Sequence, residues 1–130
     1  MSSAGYSGTP LAKKLGFKDG MRTVYVAAPE GFAVEGIETR PRVAKGTDLV
    51  VCFVTARSEL ERRLPALRRA IEPAGMLWIA WPKRASGVRT DMSEDVVREV
   101  ALPTGLVDTK VCAIDDTWSG LRLVVRRALR

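Results

Sequence analysis

The most chemically loaded stretch of the sequence is PKRASGVRTD, which sets Lys83, Arg84, Ser86, Gly87 and Arg89 just ahead of a helix signal. Cationic side chains and the free amides of a helix start both favour negative charge, so this loop is the best candidate for an anion site. Its spacing is not that of a phosphate-binding P-loop, and the plainer reading is a solvated loop in which Gly87 relieves the backbone. Trp118 stands in the polar run DDTWSG beside Asp115 and Asp116. An exposed indole there would serve recognition of a ligand, whereas a tucked one would cover a hairpin. Either aspartate could act as a general base only if burial raised its pKa, and turn chemistry is the default for adjacent acids in a loop.

Other chemistry is excluded by what is missing. The 130 residues contain no histidine, which removes Ser-His-Asp triads, Cys-His pairs, HExxH zinc sites and imidazole proton shuttles. The two cysteines, Cys52 and Cys112, lie in separate apolar runs and read as buried free thiols, with no spaced Cys and His set for a structural zinc. No metal is implied, and no catalytic residue is assigned. With 21 basic and 15 acidic residues the net charge is +6, which makes anionic partners worth weighing. Arg57, Arg62, Arg63, Arg68 and Arg69 fall in one stretch, and Arg122, Arg126, Arg127 and Arg130 close the chain. They read either as solvated faces and a guarded edge strand or as a nucleic-acid footprint, without the interleaved aromatics of a single-strand stacking platform.

The elements that must position these groups follow from pattern. Residues 1–8 are small and polar and are expected to form a flexible arm; residues 9–130 are long enough for a single domain. Thr9 as N-cap, Pro10 at the first helical position and Gly16 as the stop predict a short helix. RTVYVAA reads as the first strand, and one short exposed strand is expected within Val34 to Thr39. DLVVCFVT and MLWIAWP are apolar on both faces, as strands covered by helices on both sides are. Between them, Leu60, Leu64, Leu67 and Ile71 mark a crossover helix, with Ser58 and Glu61 at capping-box spacing and Pro65 predicting a kink or two short helices. Trp78 and Trp81, three apart on one strand, should face opposite layers. A second helix is read from TDMSEDVVREVAL, with Asp91 and Glu94 as its capping box and Met92, Val96 and Val100 on one face. LVDTKVCAI and LRLVVRR then make a closing hairpin around DDTWSG. The expected fold is an α/β, three-layer Rossmann-like, mostly parallel sheet with a C-terminal antiparallel hairpin.

That order of elements, with EPAGMLWIAWPK at its centre, resembles the C-terminal half of class I S-adenosylmethionine-dependent methyltransferases. The chain as a whole is also similar to a bacterial family of small proteins designated only as a domain of unknown function. The blocks carrying that likeness are GYSGTPLAKKLG, APEGF, ERRLPALRRA, WIAWPKRASG and TDMSEDVVREVALPTGLVDTKVCAIDDTWSGL. The methyltransferase resemblance implies a cofactor loop after the first strand, with one acid there and a second for the ribose. In this sequence Glu30, Gly31 and Glu38 are the residues that could answer to it. RTVYVAAPEGF has Gly31 alone where a glycine-rich loop belongs, and Glu30 is offset, so the resemblance implies a truncated, degenerate domain. Three functions follow. The first is a non-catalytic or degenerate methyltransferase-like domain that binds a partner protein or a small anionic ligand, with no cofactor. The second is a small S-adenosylmethionine-binding enzyme, and the third a basic nucleic-acid-associated protein. The N-terminal run lacks the charged and apolar regions of a signal peptide and no stretch is long enough to span a membrane, so a cytoplasmic setting without membrane contact is expected.

Overall fold

A computed structural model describes residues 9–130; the arm expected over residues 1–8 lies outside the described residues. Five strands form one sheet: β1 (Thr23–Val26), β2 (Leu49–Phe53), β3 (Met76–Pro82), β4 (Leu106–Ala113) and β5 (Trp118–Val125), in the order β1-β2-β3-β5-β4. The first three are parallel, and β5 runs antiparallel to both β3 and β4. Both runs that are apolar on both faces are interior strands, and every residue of β2 is buried. The closing hairpin is present, with β5 internal and β4 at the edge.

The strands divide their side chains between two cores. Val50 and Cys52 of β2, with Leu77, Ile79 and Trp81 of β3, pack beneath helices α2 (Arg57–Ile71) and α3 (Glu94–Ala101). Leu49, Val51 and Phe53, with Trp78 and Ala80, face the other way, where Leu15 of α1 (Leu11–Leu15) and the segment around Phe32, Val34 and Ile37 cover them. Trp78 and Trp81 thus enter opposite layers as their spacing requires. The indole Nε1 of Trp78 donates to Leu15 O at 2.9 Å, pinning α1 to the sheet. The two layers are unequal: α2 has 15 residues, whereas the opposite cover is a five-residue helix and irregular chain.

Several local expectations are corrected. Pro10, not Thr9, is the N-cap of α1, and no side chain caps it; Gly16, at φ +86°, ends the helix as expected. No strand forms between Val34 and Thr39. That segment spends its apolar residues on one core face, and Arg40 N donates to Thr23 O alongside β1. Helix α2 is continuous through Pro65, which is exposed, so the two-helix alternative is overturned. Its stripe of Leu60, Leu64, Leu67 and Ile71 is buried as predicted, but Ser58 is not its cap. The helix begins earlier, and its Arg57 N donates to Asp91 Oδ1 at 2.8 Å, a cap delivered from a distant loop. Asp91 is therefore not the cap of α3; Ser93 is, its side chain accepting from Val96 N. Val97 and Ala101 are the buried residues of α3, while Val96 and Val100 only flank that face. Cys52 is buried, whereas Cys112 is half-buried, not buried as expected. Trp118 belongs to β5 and not to the hairpin loop, because the strand starts as soon as Asp115 has closed the turn.

Candidate functional site

In an open α/β sheet, ligands collect beyond the carboxyl ends of the parallel strands. Here that edge is formed by the turns after Val26, Phe53 and Pro82 and by the loop between β4 and β5. Lys83 N donates to Thr117 O at 2.7 Å, stitching the end of β3 to the hairpin loop. Asp115 Oδ1 accepts from both Thr117 N and Trp118 N at 2.8 Å, so this carboxylate closes the turn.

Two hollows open at the edge, one in each layer. The first, of about 440 Å³, is lined by Leu11, Glu30, Gly31, Phe32, Asp115 and Trp118, among others. Its wall is one end of an edge-to-face aromatic series: Tyr25 on Phe32, Phe32 on Phe53 and Phe53 on Trp118, with centroids 5.1, 4.9 and 5.0 Å apart. No local pattern announces this series, because its members come from four separate stretches of chain. Trp118, half-buried against Phe53, therefore both covers the sheet and lines the hollow. At the root of this loop Ala27 takes φ +56°, the left-handed region, which costs an L-residue about 1 kcal/mol. Gly31, at φ +81°, has open space where a side chain would begin, so its glycine serves the turn conformation.

The second hollow, of about 420 Å³, lies on the α3 side and brings together Trp81, Lys83, Arg84, Ser93, Glu94 and Ser119. Glu94 is engaged by Arg98 at 2.6 Å, while Lys83 and Arg84 have no carboxylate partner among the described residues. The rest of the predicted anion loop does not converge with them. Ser86 donates to Lys83 O and accepts from Val88 N; Gly87, at φ +76°, ends a short 3-10 turn. Arg89 is exposed, and neither Ser86, Gly87 nor Arg89 lines the hollow. The loop is instead anchored to the start of α2: Thr90 Oγ1 donates to Thr55 O, and Asp91 accepts from Arg57 N. The α3 N-terminus is already loaded with Glu94 and Asp95, which weakens its pull on an outside anion.

Glu38 is not brought to this edge. It lines a separate hollow of about 740 Å³ with Asp19, Met21 and Arg40, at the amino end of β1. Glu30 follows the carboxyl end of that strand, whose length of four residues spans about 10 Å. The acids that the resemblance paired for the two parts of a cofactor are thus at opposite ends of β1. Among the described residues no group of His, Cys, Asp and Glu is arranged to hold a metal ion, and no helix is long and apolar enough to cross a membrane.

No protein-family model matches the chain, and no curated protein matches it in sequence. Solved structures do match in fold. A LepI variant in complex with SAH and a substrate analogue superposes with a TM-score of 0.56 at 12% identity, covering 89% of this chain and 39% of that one. LepI in complex with SAM gives 0.55 at 13% identity, again with 89% and 39% covered. A SAM-dependent methyltransferase from Aquifex aeolicus gives 0.51 at 20% identity, with 88% of this chain and 60% of that one covered. At these identities the likeness establishes the fold, and the chain spans 39% of the LepI chains and 60% of the Aquifex protein.

Proposed function

We propose that this chain is a methyltransferase-fold domain that binds a small anionic ligand at the carboxyl edge of its sheet and does not itself transfer a methyl group. The observation that carries this reading is the position of β1. It is an edge strand, and the chain from Ala27 to Asp48 returns to β2 with no intervening helix or strand. Glu30 and Glu38 are consequently held apart, and the loop after β1 has Gly31 where a close backbone approach to a cofactor would need several glycines. The residues therefore do not fit S-adenosylmethionine at both ends. Lys83 and Arg84, neither of them ion-paired among the described residues and sharing their hollow with a Glu94 that Arg98 engages, supply the charge for an anion of nucleotide or polyphosphate type.

The test is thermal unfolding with S-adenosylmethionine, S-adenosylhomocysteine, common nucleotides and polyphosphate, since a ligand selective for the native state raises the midpoint. A shift with a nucleotide or polyphosphate that disappears in Lys83→Ala/Arg84→Ala is expected. A shift confined to the first two compounds, with methyl transfer to any acceptor, would overturn the proposal. That outcome would favour the second reading, in which the aromatic-walled hollow beside Glu30 holds the adenosine portion; the complexes of the LepI structures with SAH and SAM are what keep it in view.

A further inference from the structure

We propose that the α1-side face of the β4–β5 hairpin is a docking surface for the phosphate backbone of a nucleic acid, gripped by Lys14, Lys110 and Arg122. Lys110 and Arg122 are direct cross-strand partners. Directly opposed residues in an antiparallel pair stand about 5 Å apart, and like charges there destabilise the sheet. The opposition is made by a bulge: the register shifts between Asp108 and Lys110, leaving Thr109 as the extra residue. Asp108 is thereby turned to the α3 face, where its carboxylate meets Arg98 at 2.9 Å, and Lys110 is turned to the other. A regular strand would have kept residues 108 and 110 on one face. The bulge thus parts Lys110 from the nearest acid of its own strand, leaving the cation alone on the α1-side face.

Arg122 and Lys110 are held in place. Arg122 Nε donates to Thr109 Oγ1 at 2.8 Å, and its guanidinium carbon lies 5.9 Å from the ring centre of the buried Trp78. Lys110 Nζ donates to Lys14 O at 3.3 Å, which brings in α1 and its own lysine. None of the three meets a carboxylate among the described residues, and residues 1–8 contain no acid. Burial pushes the Cys112 thiol pKa up, while Lys110, Lys14 and Arg122 together pull it down, so all three fields meet at one point on this face. Three of the five arginines of α2 are spent differently: Arg57 is paired with Glu61 and Glu99, Arg63 with Glu59 and Arg68 with Glu72, which leaves the exposed Arg62 and Arg69 as the competing cations that the experiment must separate. The aromatic under Arg122 is fully buried and offers no stacking surface, so the contact is with phosphates and is indifferent to base sequence.

The experiment is fluorescence anisotropy of a short labelled DNA duplex against salt concentration. Each phosphate neutralised contributes about −0.9 to the slope of log K on log salt, so three cations predict about −2.7. Lys14→Gln, Lys110→Gln and Arg122→Gln should each make the slope about 0.9 shallower, and Arg122→Lys should keep it. Because Arg122 also packs on Trp78, the lysine variants carry the test if Arg122→Gln unfolds, folding being checked by circular dichroism. Lys83→Ala/Arg84→Ala should leave the slope unchanged, which separates this surface from the ligand site proposed above. Absence of duplex binding at low salt, an equal loss from Arg62→Gln/Arg69→Gln, or preference for phosphatidylserine vesicles over the duplex would each overturn the proposal.

Discussion

Replacing Asp91 by alanine should destabilise the protein although the residue is exposed and 34 positions from the amide it serves. Its carboxylate accepts from Arg57 N at 2.8 Å, and the other bond near that helix start, Thr55 N to Glu59 Oε1, is long at 3.4 Å. Losing a side-chain cap costs about 1 kcal/mol, and losing a negative charge at a helix N-terminus adds about 0.3–1 kcal/mol. Asp91→Ala should therefore cost about 1.5 kcal/mol, or a fall of roughly 3–8 °C in Tm for a domain of this size. Asp91→Asn keeps an acceptor and gives up only the charge, so it should cost about 0.5 kcal/mol, decreasing with added salt. Ser58→Ala, which removes the residue that sequence spacing nominates as the cap, should change stability by less than about 0.5 kcal/mol. Urea unfolding of the three variants, followed by circular dichroism, makes the comparison. An unchanged midpoint for Asp91→Ala, or a larger loss for Ser58→Ala, would refute the long-range cap and the anchoring of the 83–91 loop to α2.

Ala27→Gly should be neutral or stabilising by up to about 1 kcal/mol, because glycine relieves a left-handed φ of +56° at some cost in chain entropy; a loss beyond that range in thermal unfolding would show that the Ala27 methyl is needed. Gly75→Ala should cost about 1–3 kcal/mol, since its Cβ would lie 2.7 Å from Thr47 O and 2.9 Å from Ile71 O, both backbone atoms unable to yield cheaply, and calorimetry would read it. Burial pushes the Cys52 thiol from an ordinary 9.0 up to about 12, so the folded state keeps a proton that the unfolded chain releases. Stability from this group is complete below about pH 9 and is lost as the pH climbs towards 12, a decline that Cys52→Ala should flatten in pH-dependent urea unfolding. In native protein at pH 8, iodoacetamide should modify Cys112 well before Cys52, as peptide mass mapping would show.

Features set by one segment's own pattern were legible from the chain. The stripe of α2 needs only helical spacing, and the burial of β2 and β3 on both faces needs only an unbroken apolar run, so both could be read without knowing their neighbours. The closing hairpin followed from turn residues between two strand-like runs. The caps were not legible in the same way. Ser58 and Glu61 have the right spacing, but the helix starts one residue ahead of Ser58 and finds its acceptor on Asp91, which no local rule can nominate. The connector is illegible for a related reason: Phe32, Val34 and Ile37 obey neither strand nor helix periodicity, because they fill gaps over a sheet built by other segments. Of the candidate anion loop from Lys83 to Arg89, only Lys83 and Arg84 share a hollow among its charged members, since the 3-10 turn sends the remainder outward. The meeting of Lys110 with Arg122 depends on a one-residue register shift that neither strand announces alone.

The pinning of α1 by Trp78 bears on how the molecule could be watched. A five-residue helix cannot sustain itself in water, so α1 exists by virtue of the sheet beneath it and the bond from the indole to Leu15 O. Any excursion that lifts it wets Trp78 first. Trp81 sits on the opposite side beneath the α3 layer, and Trp118 stands at the hairpin edge. The three indoles are therefore distributed as separate optical reporters, one beneath each cover and one at the rim. In single-tryptophan variants with phenylalanine at the other two positions, the emission of each would date the loosening of its own region. The thin α1 cover would redden before the α2–α3 side as denaturant rises.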